Sequence, residues 1–308
     1  MLSALARVGA HAQWVLAAGV VAALAVPGPG TLLAGTLPFW VTLLFGLAMT
    51  RIDLPAIARR AVAPRRLARN LGLLALLMGA TPAAFWAAGT ALGLDPAHVS
   101  AVVYTAAGPP LGSAAAFCLI LGLDAAFALE LTVLGSFLAP FTMPVVARLL
   151  LGEAVPIDAP VMTFRLALMI GLATAGALAA RRLLGGARIT AHARAFDGLS
   201  AIVMVLFLFP LFHGMPELIA AMPGFAAATL ALAIAVNLGV QVAAFPLCRL
   251  VTGRETAGAT ALIWGNRNAA LALASLPPDP LFTLYVALYQ FPMYFTPLIM
   301  RPLLAARA

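Results

Sequence analysis

Lysine is absent from this chain, and charge of either sign is scarce. All eighteen basic residues are arginine, and only ten acids oppose them. Charged residues make up 9% of the 308 positions and hydrophobic ones 64%, with a mean hydropathy of +1.06. That balance excludes a soluble domain, because one core buries too little of so much apolar surface. Cysteine is also rare. Cys118 and Cys248 both lie in apolar runs, which excludes a disulfide framework and a cysteine-rich zinc site. There is no Walker loop, nucleophile elbow or metal-binding helix motif. A net charge of +8 would suggest nucleic acid in a soluble protein. In an apolar chain it reflects the retention of arginine on one side of a bilayer. The lipid bilayer is the expected partner, and nucleic acid is not.

Long apolar runs are what the sequence does have. A span needs about 20 apolar residues. Ten candidates run roughly 12–28, 31–50, 71–93, 98–122, 125–150, 160–180, 196–213, 222–245, 257–277 and 280–300. The first follows Arg7 and resembles a signal peptide. Ala25-Val26-Pro27-Gly28 is a poor cleavage site, however, and more spans follow, so it is read as a retained helix. The arginines orient the set. Arg7, the group from Arg51 to Arg69, the group from Arg181 to Arg194, Arg249, Arg254, Arg301 and Arg307 all fall on one side. Only Arg148 and Arg165 fall on the other. The expectation is an inner (plasma) membrane protein with both termini cytoplasmic.

Ten spans divide into two fives, and five is odd. Two such halves, about 1–152 and 153–308, would have opposite orientations, the inverted-repeat plan of many secondary transporters. The fourth span contains GPPLGSAAAFCLILGL (108–123) and the ninth contains GNRNAALALASL (265–276). Pro109 and Pro110 cannot donate backbone hydrogen bonds, and Gly108 and Gly112 flank them, so the fourth span is expected to break. The ninth has no proline; Gly265, Asn266, Arg267 and Asn268 interrupt it with donors and one charge. Arg267 lies about 13 Å into its span at 1.5 Å per residue, near the midplane. A central arginine costs roughly 2.5–3.5 kcal/mol on insertion scales, so it should face a partner, a carbonyl or a cavity.

Glu130, in the fifth span, is the other charge at membrane depth. It is a candidate for proton coupling or for an ion pair, with Arg267 or with a neighbouring helix. Glu130 and Thr132 point about 200° apart on a helix, so only one of them is expected to face the breaks. Asn237 and Gln241 share a helix face, as do Tyr285 and Tyr289. Tyr289 and Tyr294 are candidate interfacial anchors. Trp264 flanks the ninth-span break.

At this point the chain resembles the bile acid:sodium symporter family, within the bile/arsenite/riboflavin transporter superfamily. LAPFTMPVVARLLLG (138–152), GNRNAALALA (265–274) and YQFPMYFTPLIMRPL (289–303) carry the likeness together with the two breaks. The resemblance implies an all-α polytopic fold with about ten transmembrane helices in two inverted five-helix repeats. Helices 4 and 9, both broken, would cross in a core domain (helices 3–5 and 8–10) against a panel domain (helices 1, 2, 6 and 7). It also implies sodium held by side-chain oxygens. Here Ser113, Thr132 and Asn268 fit parts of that pattern. Ala114, Ala128 and Ile263 stand where the family has asparagine, hydroxyl and glutamate, and Arg267 stands in place of glutamine.

The expected function is therefore alternating-access transport of a small organic anion, without enzymatic chemistry. The substrate-site candidates are Gly112, Ser113, Thr132, Asn266, Arg267 and Asn268. No cofactor is expected. The coupling ion is sodium by resemblance, and a proton or none by the residues. The guanidinium of Arg267 would repel sodium and suits carboxylate or sulfonate oxygens instead. The alternatives are an efflux carrier for arsenite or another small anion, with Cys118 near the fourth-span break, and an intramembrane enzyme or sensor. The sequence leaves monomer and homo-oligomer equally open.

Overall fold

A backbone in an apolar medium must satisfy its own polar groups, and the helix does so within one segment. In the computed structural model, which describes residues 2–61, 63–152 and 158–304, the regular elements are helices. Five are long and apolar enough to cross a membrane: Pro64–Ala91, Ala125–Leu151, Ala159–Leu184, Ala193–Phe212 and Pro223–Arg249. Two bent pairs, Leu2–Ala10 with Trp14–Ala25 (86°) and Leu37–Thr50 with Leu54–Ala61 (78°), raise the number to seven if each pair is one span.

The sequence predicts ten spans, and the difference has physical causes. The expected fourth span is two short helices, Pro96–Ala107 and Ala114–Leu121. The ninth is also two, Arg254–Gly265 and Ala269–Ser275. The tenth, Pro280–Ile299, is a continuous helix of 20 residues whose tyrosines, prolines and Gln290 dilute its hydropathy.

The chain divides into two compact units. The first joins Met1–Ala56 with Ala167–Pro223. Ala193–Phe212 is its centre and packs against Leu2–Ala10, Ala12–Ala25 and Leu37–Thr50. Glycine makes the first of these contacts possible. A Cβ on Gly198 would collide with the Leu5 carbonyl, and one on Gly9 with the Arg194 carbonyl. Arg51 pairs with Asp197, and Arg181 donates to the Thr50 carbonyl at 3.2 Å.

The second unit joins Ile57–Leu166 with Gly224–Ala308 and contains both broken helices. Aspartates start three of its helices. Asp95 accepts from Ala97 N, Asp124 from Phe127 N, and Asp279 from Leu281 N and Phe282 N. Gly122, at φ 66°, ends Ala114–Leu121 in the left-handed conformation that favours glycine. Two of its helices carry a π-helical turn. These are Leu76–Ala80 within Pro64–Ala91 and Ala235–Gly239 within Pro223–Arg249. Such turns release backbone carbonyls from the regular ladder.

Gly198→Leu tests the close helix contact in the first unit. The side chain has no room, so Leu2–Ala10 should detach. The expectation is fast amide exchange across 2–10 and a loss of about 2–4 kcal/mol. Unchanged protection of that segment would contradict the packing described.

Candidate functional site

The two breaks lie against each other. Residues 108–113 leave the helix because Pro109 and Pro110 lack N–H groups and crowd the preceding turn. Residues 266–268 also leave it. Pro110 and Arg267 then form an isolated antiparallel bridge. Leu111 N donates to the Asn266 carbonyl at 3.0 Å, and Asn268 N donates to the Pro109 carbonyl at 2.9 Å. Backbone groups freed by one break are thus satisfied by the other, as membrane depth requires.

Neighbouring helices make room for the pair and hold it. Ala125–Leu151 presents Gly135 to the prolines; a Cβ there would lie 2.9 Å from Pro110 Cδ. Thr132, one turn away and fully buried, donates to the Leu111 carbonyl at 3.5 Å. Gly265 has no space for a side chain because the Asn237 carbonyl lies against it. Asn237 Nδ2 donates to the Gly265 carbonyl at 2.9 Å and to Asn266 Oδ1 at 3.1 Å. Thr296 and Gln241 complete that buried network. Tyr289 contributes most directly. Its hydroxyl donates to the Gly265 carbonyl and accepts from Arg267 N at 3.1 Å, bridging the gap in the ninth span. Tyr289 is fully buried, stacked with Tyr285 at 5.9 Å, so it is not an interfacial anchor.

The Arg267 side chain is 2% exposed. Its Nη2 donates to the Ala106 carbonyl at 2.7 Å and to the Leu77 carbonyl at 3.3 Å. Proline has deprived both acceptors of backbone donors. The helical partner of the Ala106 carbonyl would be the nitrogen of Pro110, which has no hydrogen. At Leu77, the N–H of Thr81 goes instead to Leu76 in the π turn, and the next nitrogen belongs to Pro82. Nε and Nη1 of Arg267 have no hydrogen-bond partner, and no carboxylate among the described residues pairs with the guanidinium. Trp264 Nε1 donates to Thr81 Oγ1 at 3.0 Å and fastens the ninth span to the π turn.

Glu130 is elsewhere. It is 1% exposed and accepts from Arg60 at 2.6 Å and Arg66 at 3.4 Å, with Arg69 at 3.9 Å and Asn70 Nδ2 at 3.2 Å. Its carboxylate ties Ala125–Leu151 to Arg60 at the end of Leu54–Ala61 and to the arginine-rich start of Pro64–Ala91, and it does not meet Arg267. Glu130 and Thr132 do face opposite ways, as their spacing requires.

The expected site residues therefore separate into two groups. Thr132, Asn266 and Arg267 are enclosed at the crossing, while Gly112 and Asn268 are half-buried and Ser113 is exposed. The Thr132 hydroxyl is turned to a backbone carbonyl, Ser113 is at the surface, and a fixed cation occupies the crossing. Ala114, Ala128 and Ile263 supply no oxygen. These residues do not fit a sodium site. Cys118 is fully buried and alone. No family model and no curated protein matches the chain. Pro82 and the π turns were missed at the sequence level. The signal for Pro82 was present, as a proline five residues past the carbonyl it deprives.

Tyr289→Phe removes two hydrogen bonds from the buried break. Leaving the Gly265 carbonyl and Arg267 N–H without partners should cost about 2–4 kcal/mol. Thermal unfolding of the purified variant measures it; an unfolding temperature equal to wild type would show that the hydroxyl does not hold the break.

Proposed function

We propose that the protein is a secondary carrier of a small organic anion, working by alternating access in the cell's inner membrane with both termini cytoplasmic. Arg267 carries the proposal: a buried guanidinium at the meeting of two broken helices, with no carboxylate partner among the described residues and two of its nitrogens, Nε and Nη1, to spare. Arginine stays protonated in proteins, so the crossing holds a positive charge in a medium of low dielectric. That field favours an anion over a cation or a neutral solute. Carboxylate and sulfonate match the planar guanidinium best. The accessible side chains beside the crossing, Ser113 and Asn268, are neutral hydrogen-bonding groups.

The architecture supports a carrier of inverted repeats. The two broken helices are the fourth span of each expected half. The two π turns fall in the third and eighth spans, each the third of its half. The helices of the two compact units divide as the family resemblance implies for panel and core: spans 1, 2 and 7 with most of 6 in the first, spans 3–5 and 8–10 in the second. Enzymatic chemistry has little support. The two charged groups at membrane depth do not converge, and Glu130 is already shared by three arginines. Arsenite efflux gains nothing from a lone buried thiol.

Ligand-induced thermal stabilisation tests the proposal. Benzoate, pyruvate, methanesulfonate and cholate are offered to purified protein in sodium and in matched choline buffer. A bound anion raises the unfolding temperature by mass action. At least one should do so in both buffers, and Arg267→Gln should abolish the effect. An anion response that survives Arg267→Gln unchanged would remove the basis for the proposal.

A further inference from the structure

We infer that Arg267 is a tethered cation, filling with its own guanidinium the place a mobile alkali ion would take at the crossing, so that the site needs no metal ion to be complete. The acceptors are two carbonyl oxygens that proline has freed, at 2.7 and 3.3 Å from Nη2. Ala106 lies at the C-terminal end of the half-helix Pro96–Ala107, where the helix dipole is negative. Freed carbonyls and half-helix C-terminal ends are the ligands that hard monovalent cations take inside membranes. A neutral amide would serve if hydrogen bonding alone were needed, and the adjoining network uses amides at Asn237, Gln241 and Asn266. Burying a full charge instead is costly. The charge is therefore part of the design. With Nε and Nη1 unpartnered, its field is not cancelled locally.

The consequence for transport, that anion binding is indifferent to alkali cations, rests on the carrier proposal. The structural consequence does not. Removing the side chain should leave a carbonyl-lined hole that accepts a small cation.

The experiment follows thermal unfolding of wild type and Arg267→Ala in choline chloride, with guanidinium, sodium or potassium added to 20 mM at constant ionic strength and no organic anion present. Wild type should be indifferent to sodium and potassium. Arg267→Ala should unfold at a lower temperature and recover roughly 3–6 °C, saturably, on addition of guanidinium. A weaker saturable recovery with an alkali ion also supports the inference. An Arg267→Ala protein as stable as wild type in choline, or one that none of the three cations restores, overturns it. If Arg267→Ala does not fold, wild type still decides. A saturable sodium stabilisation over choline would mean that a mobile-cation site exists, and the inference fails; indifference to sodium upholds it. Because no organic anion is present, failure of the carrier proposal for want of an anion ligand would not alter this result.

Discussion

One guanidinium, bonded to two carbonyls that proline has stripped of their donors, holds the centre of the second unit together. Pro110 frees the Ala106 carbonyl as it breaks the fourth span, and Pro82 frees the Leu77 carbonyl behind the π turn. Each orphaned carbonyl in hydrocarbon would cost several kcal/mol. Arg267 satisfies both with one nitrogen. Its own backbone takes part as well, bridging to Pro110 and donating to Tyr289. Residues 108–111 and 266–268 thus pair as a minimal two-stranded contact inside an otherwise helical unit. Gly135 and Gly265 exist to let the surrounding helices approach it.

The two buried charges among the described residues of this unit, Glu130 and Arg267, are handled in opposite ways. Glu130 is over-neutralised by three half-exposed arginines that also reach water, and its role is to anchor one helix end to another. Arg267 has no counter-charge among the described residues. A chain so sparing of charge places an uncompensated one where its two broken helices meet. This contrast is why the proposed function is placed on Arg267 and not on Glu130.

Much of this was legible in the sequence, for identifiable reasons. Pro-Pro between glycines and GNRN within an apolar run announce local breaks, because the disrupting residues lie at the break itself. The opposed directions of Glu130 and Thr132 follow from helix geometry over two residues. The partners of Arg267 were not legible. They are backbone carbonyls more than 150 residues away, and carbonyls leave no trace in residue type. Tyr289 read as an interfacial anchor because tyrosines near a span end commonly are; its burial depends on the position of the ninth-span gap. The π turns have no periodicity signal, and ten spans resolve into fewer unbroken helices because breaks shorten them.

Charge movement would show whether Arg267 replaces a mobile cation. In the proposed carrier the tethered arginine returns to its starting point over a full cycle, so a monoanion carried without a companion ion would move one net negative charge. The measurement is uptake of a stabilising anion into proteoliposomes under a potassium–valinomycin potential, with sodium absent or present as a gradient. Uptake should rise with an inside-positive potential, proceed in choline, and ignore the sodium gradient. Uptake that requires sodium, or that a sodium gradient alone drives, would contradict the replacement of a mobile cation by Arg267.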